Sequence, residues 1–380
     1  MPSKKNIVVL TDWYLPAYKA GGPVKSVAAL VYHLKNDYNF FVITSDKDAF
    51  DKNPLNVKTN EWLTGDNNEK IIYLPGKVTR AKLLEIMAGI EFDCLYINSF
   101  FSKPFSIYPL ILQKQGKIKQ PIVLAPRGML RKGALSIKYK KKKIFLVLSK
   151  LGGLHENLTW HATSQQEVDE IKKIFGKDAP VVLVANLTLP PLQKRIEYTK
   201  KSGELKICCV ARLVKNKKID FALEVLKNIK EGQIIFDVFG PPEDEVYYKQ
   251  CLALAQTLPS NISVSFKGNV LSGEVEQIMK QYHVFLLPTL TENFGHAIIE
   301  SMLNGCIPVI SNQTPWQNLQ KNGLGWDIAL NNKQSFISAI KECLLLNEES
   351  FKSQSIKIQL FAEKKTSDLT ILKAYQQLFK

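Results

Sequence analysis

The chain has 380 residues, of which 45% are hydrophobic and 23% charged, and this composition excludes a disordered or fibrous protein. No apolar run reaches the roughly 18 residues that a membrane-spanning helix needs, and the first residues lead into a predicted strand without a signal-peptide core. The net charge of +16 is uneven, because residues 1–197 carry 30 Lys and Arg against 17 Asp and Glu, whereas residues 198–380 carry 21 against 18. We therefore expect a cytoplasmic protein whose first half meets an anionic partner.

Short runs rich in Ile, Val and Leu alternate with helical patterns in the first half of the chain. The strands predicted there are 6–11, 40–44, 71–74, 94–98, 122–125, 158–162 and 181–184. A helix is predicted over 24–34, and the polar residues 46–70 are expected to form a loop. This alternation is typical of a parallel sheet that helices cover on both faces.

The alternation restarts after Pro190-Pro191 and a polar stretch that ends near Gly203. The strands predicted in this second half are 205–210, 234–238, 262–266, 284–287 and 308–310, and a tail helix is predicted over about 368–379. The pattern predicts two doubly wound α/β domains, residues 1–197 and 198–362. Two such sheets are expected to face a central cleft at the carboxyl ends of their strands, where open α/β sheets bind ligands.

The six cysteines show no Cys-x-x-Cys spacing, and four of them lie in apolar stretches. The histidines lack the spacing of metal ligands. The sequence therefore predicts neither disulfides nor structural zinc.

The densest polar motif is the segment 288–300, which follows a buried strand and opens a helix. Glu292 lies at the helix N-terminus, where backbone N–H groups favour oxygen-rich or anionic ligands. Glu300 lies about two turns further along, so the two carboxylates could hold two separate polyols of one ligand. The alternative is that Glu292 only interacts with the helix dipole and that Glu300 is a solvated surface residue. His296, in the same turn, either contacts a ligand or is a packing residue.

Each predicted domain has a further candidate loop directly after its first strand. Arg212 and Lys217 precede a helix, and an arginine fork with a lysine suits a diphosphate, although a solvated basic loop is the alternative. Gly21 and Gly22 would let the backbone approach a ligand closely, although a tight turn explains the pair equally.

Together, the Gly-Gly loop, Arg-Leu-Val-x-x-Lys and Glu-Asn-Phe-Gly-x4-Glu, in this order, resemble the retaining family 4 glycosyltransferases of the GT-B fold. The segments Ala125-Pro-Arg-Gly-Met, His161-Ala-Thr-Ser and Phe239-Gly-Pro extend the resemblance over nearly the whole chain. It implies an acceptor-binding first domain, a donor-binding second domain and a final helix, about 363–380, that packs back on the first domain. It also implies sugar transfer from a nucleotide-diphosphate sugar with retention at the anomeric carbon.

The resemblance assigns roles to the motif residues. Glu300 would hold the nucleotide ribose, and the transferred sugar would contact Glu292, Asn293, Phe294 and Gly295. From its position in the same turn, His296 either contacts the donor sugar or phosphate or is a packing residue. Arg212 and Lys217 would neutralise the leaving diphosphate, which stabilises the transition state and removes the need for a metal or other cofactor. Gly21 and Gly22 would add backbone contacts, and the base would lie near Gly240 or near Lys267-Gly268.

The sequence departs from the family at Asn98, where many members carry a histidine that contacts the sugar. Asn98 either substitutes for that histidine in the catalytic site or shapes the pocket that receives the sugar and acceptor. Arg127 ends a predicted strand in a stretch without acids, from residue 94 to residue 155. It suits an acceptor phosphate such as a lipid diphosphate, or the donor diphosphate. A salt bridge within the domain is the alternative.

The basic segment 131–154 interleaves lysines with apolar residues. It suits a helix on an anionic membrane surface, where each cation contributes about 1 kcal/mol, and equally suits a solvated lysine-rich face. Base-stacking aromatics and groove-reading motifs are missing from the sequence, so no nucleic-acid partner is expected.

These features predict a cytoplasmic glycosyltransferase, peripheral at the inner face of the cell membrane. Its acceptor would be a lipid-linked or saccharide precursor of a cell-surface polysaccharide or lipopolysaccharide. A phosphorylase or nucleotide-sugar epimerase of the same fold is the enzymatic alternative. A non-catalytic basic scaffold for membranes or nucleic acid is the alternative of another class.

Overall fold

The computed structural model describes residues 4–136, 138–193, 197–271 and 273–380. They form two compact units. Unit 1 runs up to Leu189 and also includes Asp368–Lys380, and unit 2 is Pro190–Ser367. The division therefore falls eight residues before the predicted boundary at residue 197, and residues 363–367 of the predicted final helix lie in unit 2.

Unit 1 is built on an eight-stranded sheet with the order β3-β4-β2-β1-β5-β6-β7-β8. Its neighbouring strands are parallel except β3, which is antiparallel to β4. The strands are β1 (Lys5–Leu10), β2 (Tyr38–Ser45), β3 (Trp62–Thr64), β4 (Lys70–Leu74), β5 (Cys94–Ile97), β6 (Ile122–Leu124), β7 (Thr159–Ala162) and β8 (Val181–Leu183).

Six α-helices connect these strands, and a short π-helix, Lys103–Ile107, precedes the third. They are α1 (Gly22–Leu34), α2 (Arg80–Ala88), α3 (Tyr108–Lys114), α4 (Lys132–Ser136), α5 (Tyr139–Leu151) and α6 (Gln165–Phe175). The sheet is covered on both faces, because Ile7 and Val9 of β1 belong to one buried cluster and Val8 and Leu10 to the other. This two-sided burial explains why the strands are continuously apolar.

Unit 2 is built on a six-stranded, all-parallel sheet with the order β11-β10-β9-β12-β13-β14. The strands are β9 (Glu204–Val210), β10 (Gln233–Phe239), β11 (Ile262–Gly268), β12 (Val284–Leu287), β13 (Ile307–Ser311) and β14 (Trp326–Ile328). The helices are α7 (Ile219–Leu226), α8 (Glu245–Ala255), α9 (Val275–Met279), α10 (His296–Leu303), α11 (Lys333–Leu345) and α12 (Glu348–Thr366). A single 3-10 turn, Lys215–Lys217, precedes α7.

The last helix, α13 (Leu369–Leu378), belongs to unit 1. Tyr375, Leu378 and Phe379 are buried in the cluster that contains Ile7 and Val9. The Tyr375 ring lies edge-on to His161 at 5.3 Å. The helix therefore completes one face of the unit 1 core.

The prediction of two Rossmann-like α/β domains is confirmed. Two strands escape the sequence pattern: β3, which lies inside the loop predicted at 46–70, and β14. Each has only three residues, one of them polar, so it lacks the continuous run of Ile, Val and Leu that marks the equally short β6 and β8.

Each sheet has one place where the strand order reverses. In unit 1, β1 lies between β2 and β5, and in unit 2, β9 lies between β10 and β12. Open α/β sheets bind ligands outside the carboxyl ends of the strands at such a point. Ligand-binding residues are therefore expected in the loops that follow β1, β5, β9 and β12.

Candidate functional site

In unit 2, Gly240 fixes the path of the loop that carries Arg212. Its φ is 140°, and a Cβ added there would lie 2.0 Å from the carbonyl oxygen of Ala211 and 3.2 Å from the backbone nitrogen of Arg212. The neighbouring Leu213 N–H donates to Pro241 O at 2.8 Å. Only glycine allows this close approach, so the loop after β10 holds the loop after β9 in place.

Lys217 and Glu292 form an ion pair between the loops that follow β9 and β12. The Lys217 ammonium donates to Glu292 Oε1. The two side chains are only 13% and 14% exposed. The structure thus brings together two residues that are 75 positions apart in the sequence, both of them predicted site residues.

Arg212 pairs with Glu243, a residue that the sequence pattern does not single out. The Arg212 Nη1 atom lies 3.1 Å from both carboxylate oxygens of Glu243, which follows Gly240 in the loop after β10. Arg212 is 45% exposed, whereas Glu243 is 17% exposed. Part of the guanidinium therefore remains open to an additional anionic ligand.

Asn216 ties the two loops together, and it too is not singled out by the sequence pattern. Its carbonyl accepts the Leu290 N–H at 2.8 Å and the Thr289 hydroxyl at 3.0 Å, and its Nδ2 donates to Thr291 O at 3.2 Å. These bonds hold the segment just before Glu292 against the segment that carries Lys217. Asn216 is therefore a positioning residue for the ion pair.

The segment Asn293–Gly295 leads into α10 in a fixed conformation. Gly295, with φ 79°, precedes the helix, and the indole of Trp316 donates to Phe294 O at 2.6 Å. His296 is buried at the first helical position, with its ring 4.8 Å from that of Phe294. This burial fits the packing alternative, and the role of His296 in binding the donor stays a prediction. Glu300 is half-buried, one turn into the helix.

In unit 1, the glycine pair lies at the start of α1. Gly21 has φ 65°, and a Cβ added there would meet no atom within 4 Å, so the space above it is open. Asp48 accepts the backbone N–H groups of Tyr18 and Lys19, at 2.8 and 3.1 Å. The Lys19 ammonium pairs with Asp51 at 2.6 Å. The loop that ends at Gly21 is therefore held by the excursion after β2.

The segment Asp46-Lys47-Asp48 is an Asp-x-Asp triplet, a spacing that the expectation of a metal-free site did not take into account. Asp46 and Asp48 are both buried, at 6% and 3% exposure, and Asp48 is engaged by backbone N–H groups. Within the described residues, no group of three or more His, Cys, Asp or Glu side chains is arranged to hold a metal ion.

Asn98 and Arg127 are joined in one hydrogen-bond network. Arg127 donates through Nε to Asn98 Oδ1 at 2.7 Å, through Nη2 to the Tyr96 hydroxyl at 2.6 Å and through Nη1 to Asn186 Oδ1. Asn98 is 1% exposed, and its Nδ2 donates to Pro23 O at 3.1 Å. Both ends of the Asn98 amide are therefore engaged, and the network reaches the first turn of the helix that begins at Gly22.

The groups in this network around Arg127 are neutral. Burial raises the pKa of Tyr96 to about 12, although Arg127 opposes the shift. His161 Nδ1 lies 2.8 Å from the Tyr96 hydroxyl. The pKa of His161 is lowered to about 3, mainly by burial and additionally by the charge of Arg127. Among the described residues, no carboxylate forms an ion pair with Arg127, so the predicted alternative of a salt bridge within the domain is not observed.

A buried carboxylate fixes the unusual backbone at Arg127. Arg127 and Gly128 have φ values of 55° and 75°, consecutive left-handed residues that cost a non-glycine residue about 1 kcal/mol or more. Glu167 is fully buried and accepts the Gly128 N–H at 2.6 Å and the Thr163 N–H at 2.8 Å. Glu167 therefore serves as the positioning residue for this turn.

Comparison with known proteins connects this geometry to a family. Residues 192–357 match the family model described as "Glycosyl transferases group 1". The chain is 29% identical, over 110 residues, to the GtfA subunit of the UDP-N-acetylglucosamine–peptide N-acetylglucosaminyltransferase of Streptococcus pneumoniae serotype 4. This stretch is 28% of the chain, and the match spans only a fifth of the curated relative.

Solved structures match over the whole chain. The sucrose-phosphate synthase of Thermosynechococcus elongatus has a TM-score of 0.71 at 18% identity, with 99% of each chain covered. Anabaena HepE in complex with UDP-glucose has a TM-score of 0.69 at 15% identity, with 98% of each chain covered. The chain therefore has the GT-B fold, and the matched family domain in unit 2 supports a GT-B glycosyltransferase. None of the helices in the described part of the chain combines the length and apolarity that crossing a bilayer requires.

Proposed function

We propose that the protein transfers a sugar from a nucleotide-diphosphate sugar to a lipid-linked or saccharide acceptor, with retention at the anomeric carbon. The observation that carries the proposal is the arrangement in unit 2, where Arg212 and Lys217 lie in the loop after β9 and Lys217 pairs with Glu292 of the loop after β12, at the point of strand-order reversal. Two cations beside a carboxylate at such a point suit a ligand with both a diphosphate and hydroxyl groups. The family match of residues 192–357 supports this assignment.

On the donor side, Arg212 and Lys217 would hold the diphosphate. The guanidinium offers a planar fork and is 45% exposed, so it can accept phosphate oxygens beside or in place of Glu243. Lys217 supplies a second positive charge, held by Glu292 at a fixed position. Glu292 and the backbone of Asn293–Gly295 would contact the transferred sugar, and Glu300 would accept the ribose hydroxyls.

The chemistry needs only groups that the chain supplies. The acceptor hydroxyl forms a bond to the anomeric carbon while the bond from that carbon to the diphosphate oxygen breaks. The acceptor proton passes to the departing phosphate oxygen, on the same face of the sugar. Arg212 and Lys217 would stabilise the negative charge that grows on the diphosphate, which is the part of a transition state where fixed cations act most strongly.

On the acceptor side, Arg127 would attract an anionic group such as a lipid diphosphate. Its bonds to Asn98, Asn186 and Tyr96 go to neutral groups, so they hold the guanidinium without cancelling its charge. Asn98, which is buried with its amide engaged, is proposed to act as a positioning residue that links Arg127 to the helix start at Gly22. An unpaired positive charge at the edge of a sheet favours an anionic ligand.

We further propose that the enzyme works in the cytoplasm, at the inner face of the membrane, in the synthesis of a cell-surface polysaccharide or lipopolysaccharide. The six cysteines are free and buried, as is usual in a reducing compartment. The excess of basic residues in unit 1 suits a membrane-bound anionic acceptor.

The donor assignment is tested by ligand-induced stabilisation with UDP, other nucleoside diphosphates and their sugars. UDP is the first nucleotide to use, because HepE binds UDP-glucose on the same fold. A ligand at a hundred times its dissociation constant should raise the free energy of unfolding by about 2.7 kcal/mol. Glu300→Ala should abolish the stabilisation, whereas Glu342→Ala, which changes an exposed glutamate on α11, should preserve it. A flat response from folded wild-type protein would exclude the proposed donor site.

Product analysis separates the remaining possibilities. Retention is tested by the anomeric configuration of the product, and metal independence by activity in the presence of a chelator. Turnover of a sugar with inorganic phosphate and without nucleotide would assign a phosphorylase instead.

A further inference from the structure

Helix α5 has apolar residues on two opposite sides. On one side, Phe145 and Leu146 pack against the buried core of unit 1. On the other side, Ile144, Val147, Leu148 and Leu151 are 59%, 49%, 63% and 82% exposed. Their spacing of i, i+3, i+4 and i+7 places these four side chains on one face of the helix. We call this the outer face of α5.

Lysines surround the outer face. Lys140, Lys141, Lys143 and Lys150 are exposed. At 3.6 residues per turn, Lys143 and Lys150 lie along one edge of the apolar stripe, Lys141 lies along the other edge, and Lys140 lies at its N-terminal end. The sequence has no acid from residue 94 to residue 155 that could neutralise them. An ordinary solvated lysine-rich face does not have four exposed aliphatic side chains at its centre.

The helix is held firmly beside the candidate acceptor residues of unit 1. The Phe145 ring lies 6.0 Å from that of Phe100 and 5.8 Å from that of Phe101, two residues that follow Asn98 after β5. The Lys142 ammonium lies 4.9 Å from the centre of the Phe101 ring. It also donates to Ala134 O at 2.6 Å. The outer face is therefore a rigid surface near the carboxyl end of β5.

We propose that the outer face of α5 docks unit 1 on a bilayer that contains anionic lipids. Ile144, Val147, Leu148 and Leu151 would enter the boundary between headgroups and acyl chains, and the surrounding lysines would contact the lipid phosphates. Nucleic acid fits poorly, because it offers no apolar surface for the stripe. A second copy fits poorly, because two such faces would bring eight lysines together. The proposal deepens the proposed function, since a bilayer presents a lipid-linked acceptor, but the docking does not require donor binding.

Co-sedimentation with vesicles tests the docking. Vesicles of phosphatidylcholine, with and without phosphatidylglycerol, are mixed with the full chain at low and high salt. The triple variant Val147→Ser/Leu148→Ser/Leu151→Ser should lose binding. Its matched control is Val246→Ser/Leu345→Ser/Leu360→Ser, which changes the same residue types at exposed positions of unit 2. The control should bind like the wild type.

The charge is tested separately. Lys140→Gln/Lys141→Gln/Lys143→Gln should weaken partitioning to anionic vesicles on the order of 100-fold, since each cation near the lipid contributes about 1 kcal/mol. The control Lys172→Gln/Lys173→Gln/Lys177→Gln changes three exposed lysines of the same unit and should have a much smaller effect.

Three results would overturn the docking proposal: no binding of the wild type, equal binding to neutral vesicles, or unchanged binding of both α5 variants. A dimer that the apolar variant dissociates would assign the outer face to a second copy instead.

Stabilisation by UDP is measured on the same proteins. If the protein binds vesicles but is not stabilised by UDP, the proposed function fails and the docking proposal stands. If UDP stabilises the protein but vesicles do not bind it, the docking proposal fails and the proposed function stands.

Discussion

The cations of the two units are held in different ways. In unit 2, Lys217 and Arg212 are each paired with a carboxylate, Glu292 and Glu243. In unit 1, Arg127 donates to two amides and a phenol. A carboxylate cancels the charge that it holds, and an amide leaves it in place. An anion reaching Arg212 must therefore compete with Glu243, whereas no carboxylate of the described residues is paired with Arg127.

The largest effect is expected from breaking the buried pair of unit 2. Lys217→Met leaves the Glu292 carboxylate without its partner at 14% exposure, which should lower the free energy of unfolding by about 3 kcal/mol. Stabilisation by UDP should also disappear. The double variant Lys217→Met/Glu292→Gln should recover most of the stability without recovering UDP binding. Thermal unfolding with and without UDP measures both quantities, and full UDP binding by the double variant would contradict the assignment.

Gly240→Ala tests whether the loop that carries Arg212 is set by close backbone approach. The added Cβ would lie 2.0 Å from Ala211 O, so the loop must shift, and we expect a loss of about 2–4 kcal/mol in the free energy of unfolding. Gly203→Ala is the control, because it also has a positive φ but meets no atom within 4 Å. That control should cost about 1 kcal/mol. Equal losses for the two variants would contradict the close-approach argument.

Arg127→Gln separates the two units by function. It removes the positive charge of Arg127, so turnover with an anionic acceptor should fall about tenfold or more, mainly through KM. UDP stabilisation should stay at the wild-type level. Arg80→Gln, an exposed arginine of the same unit, is the control and should keep its activity. A parallel loss of UDP binding in Arg127→Gln would place this residue on the donor instead.

Glu243→Gln should strengthen nucleotide binding by unit 2 instead of weakening it. It removes the carboxylate that competes for Arg212, so the affinity for UDP should rise by roughly threefold to tenfold at low salt. The gain should shrink at high salt, because the pair is partly exposed and screened. Titration of the variant and of Glu342→Gln with UDP measures the effect. A weaker affinity in Glu243→Gln would mean that Glu243 orients Arg212 rather than competing for it.

The last prediction concerns the acid stability of unit 1. His155 lies among the rings of Phe100, Trp160 and Phe175, and neither ring nitrogen has a hydrogen-bond partner within the described residues. Burial lowers its pKa to about 4. The unfolded chain binds the proton near pH 6.5, so the folded state loses stability as the pH falls from about 6.5 to about 4.

His155→Phe keeps the ring and removes this titration. We expect it to reduce the acid-induced loss of stability by about 2 kcal/mol between pH 6.5 and 4. Urea unfolding at several pH values measures the difference. An unchanged pH profile would show that His155 is not the group responsible.

The sequence was sufficient for features that depend on local pattern. Val8, Val9 and Leu10 indicated a strand buried on both faces, and the segment 284–287 was predicted with the bounds that the structure has. The joint occurrence of the Arg212 and Glu292 motifs indicated a GT-B glycosyltransferase. Such signals lie within a few neighbouring residues, so they can be read without knowledge of the fold.

Contacts between distant loops could not be predicted. Glu243 is 31 positions from Arg212, and Asn216 is 75 positions from Thr291. Neither residue type is unusual in its own loop, so only the order of the strands brings them together. Asn98 could not be interpreted from the sequence for the same reason. An asparagine can contact a ligand, and only the 1% exposure and the engaged amide of Asn98 favour a positioning role.

The return of α13 to unit 1 has a consequence for synthesis. Tyr375 and Phe379 fill the face of the core beside His161 and Tyr96, and they follow all of unit 2 in the chain. During translation, the first 189 residues therefore leave the ribosome with that face uncovered, and they must wait for about 180 further residues. Unit 2 is continuous and can fold first, although its codons come later. A ribosome-bound nascent chain that ends before residue 368 should therefore be sensitive to protease within its first half.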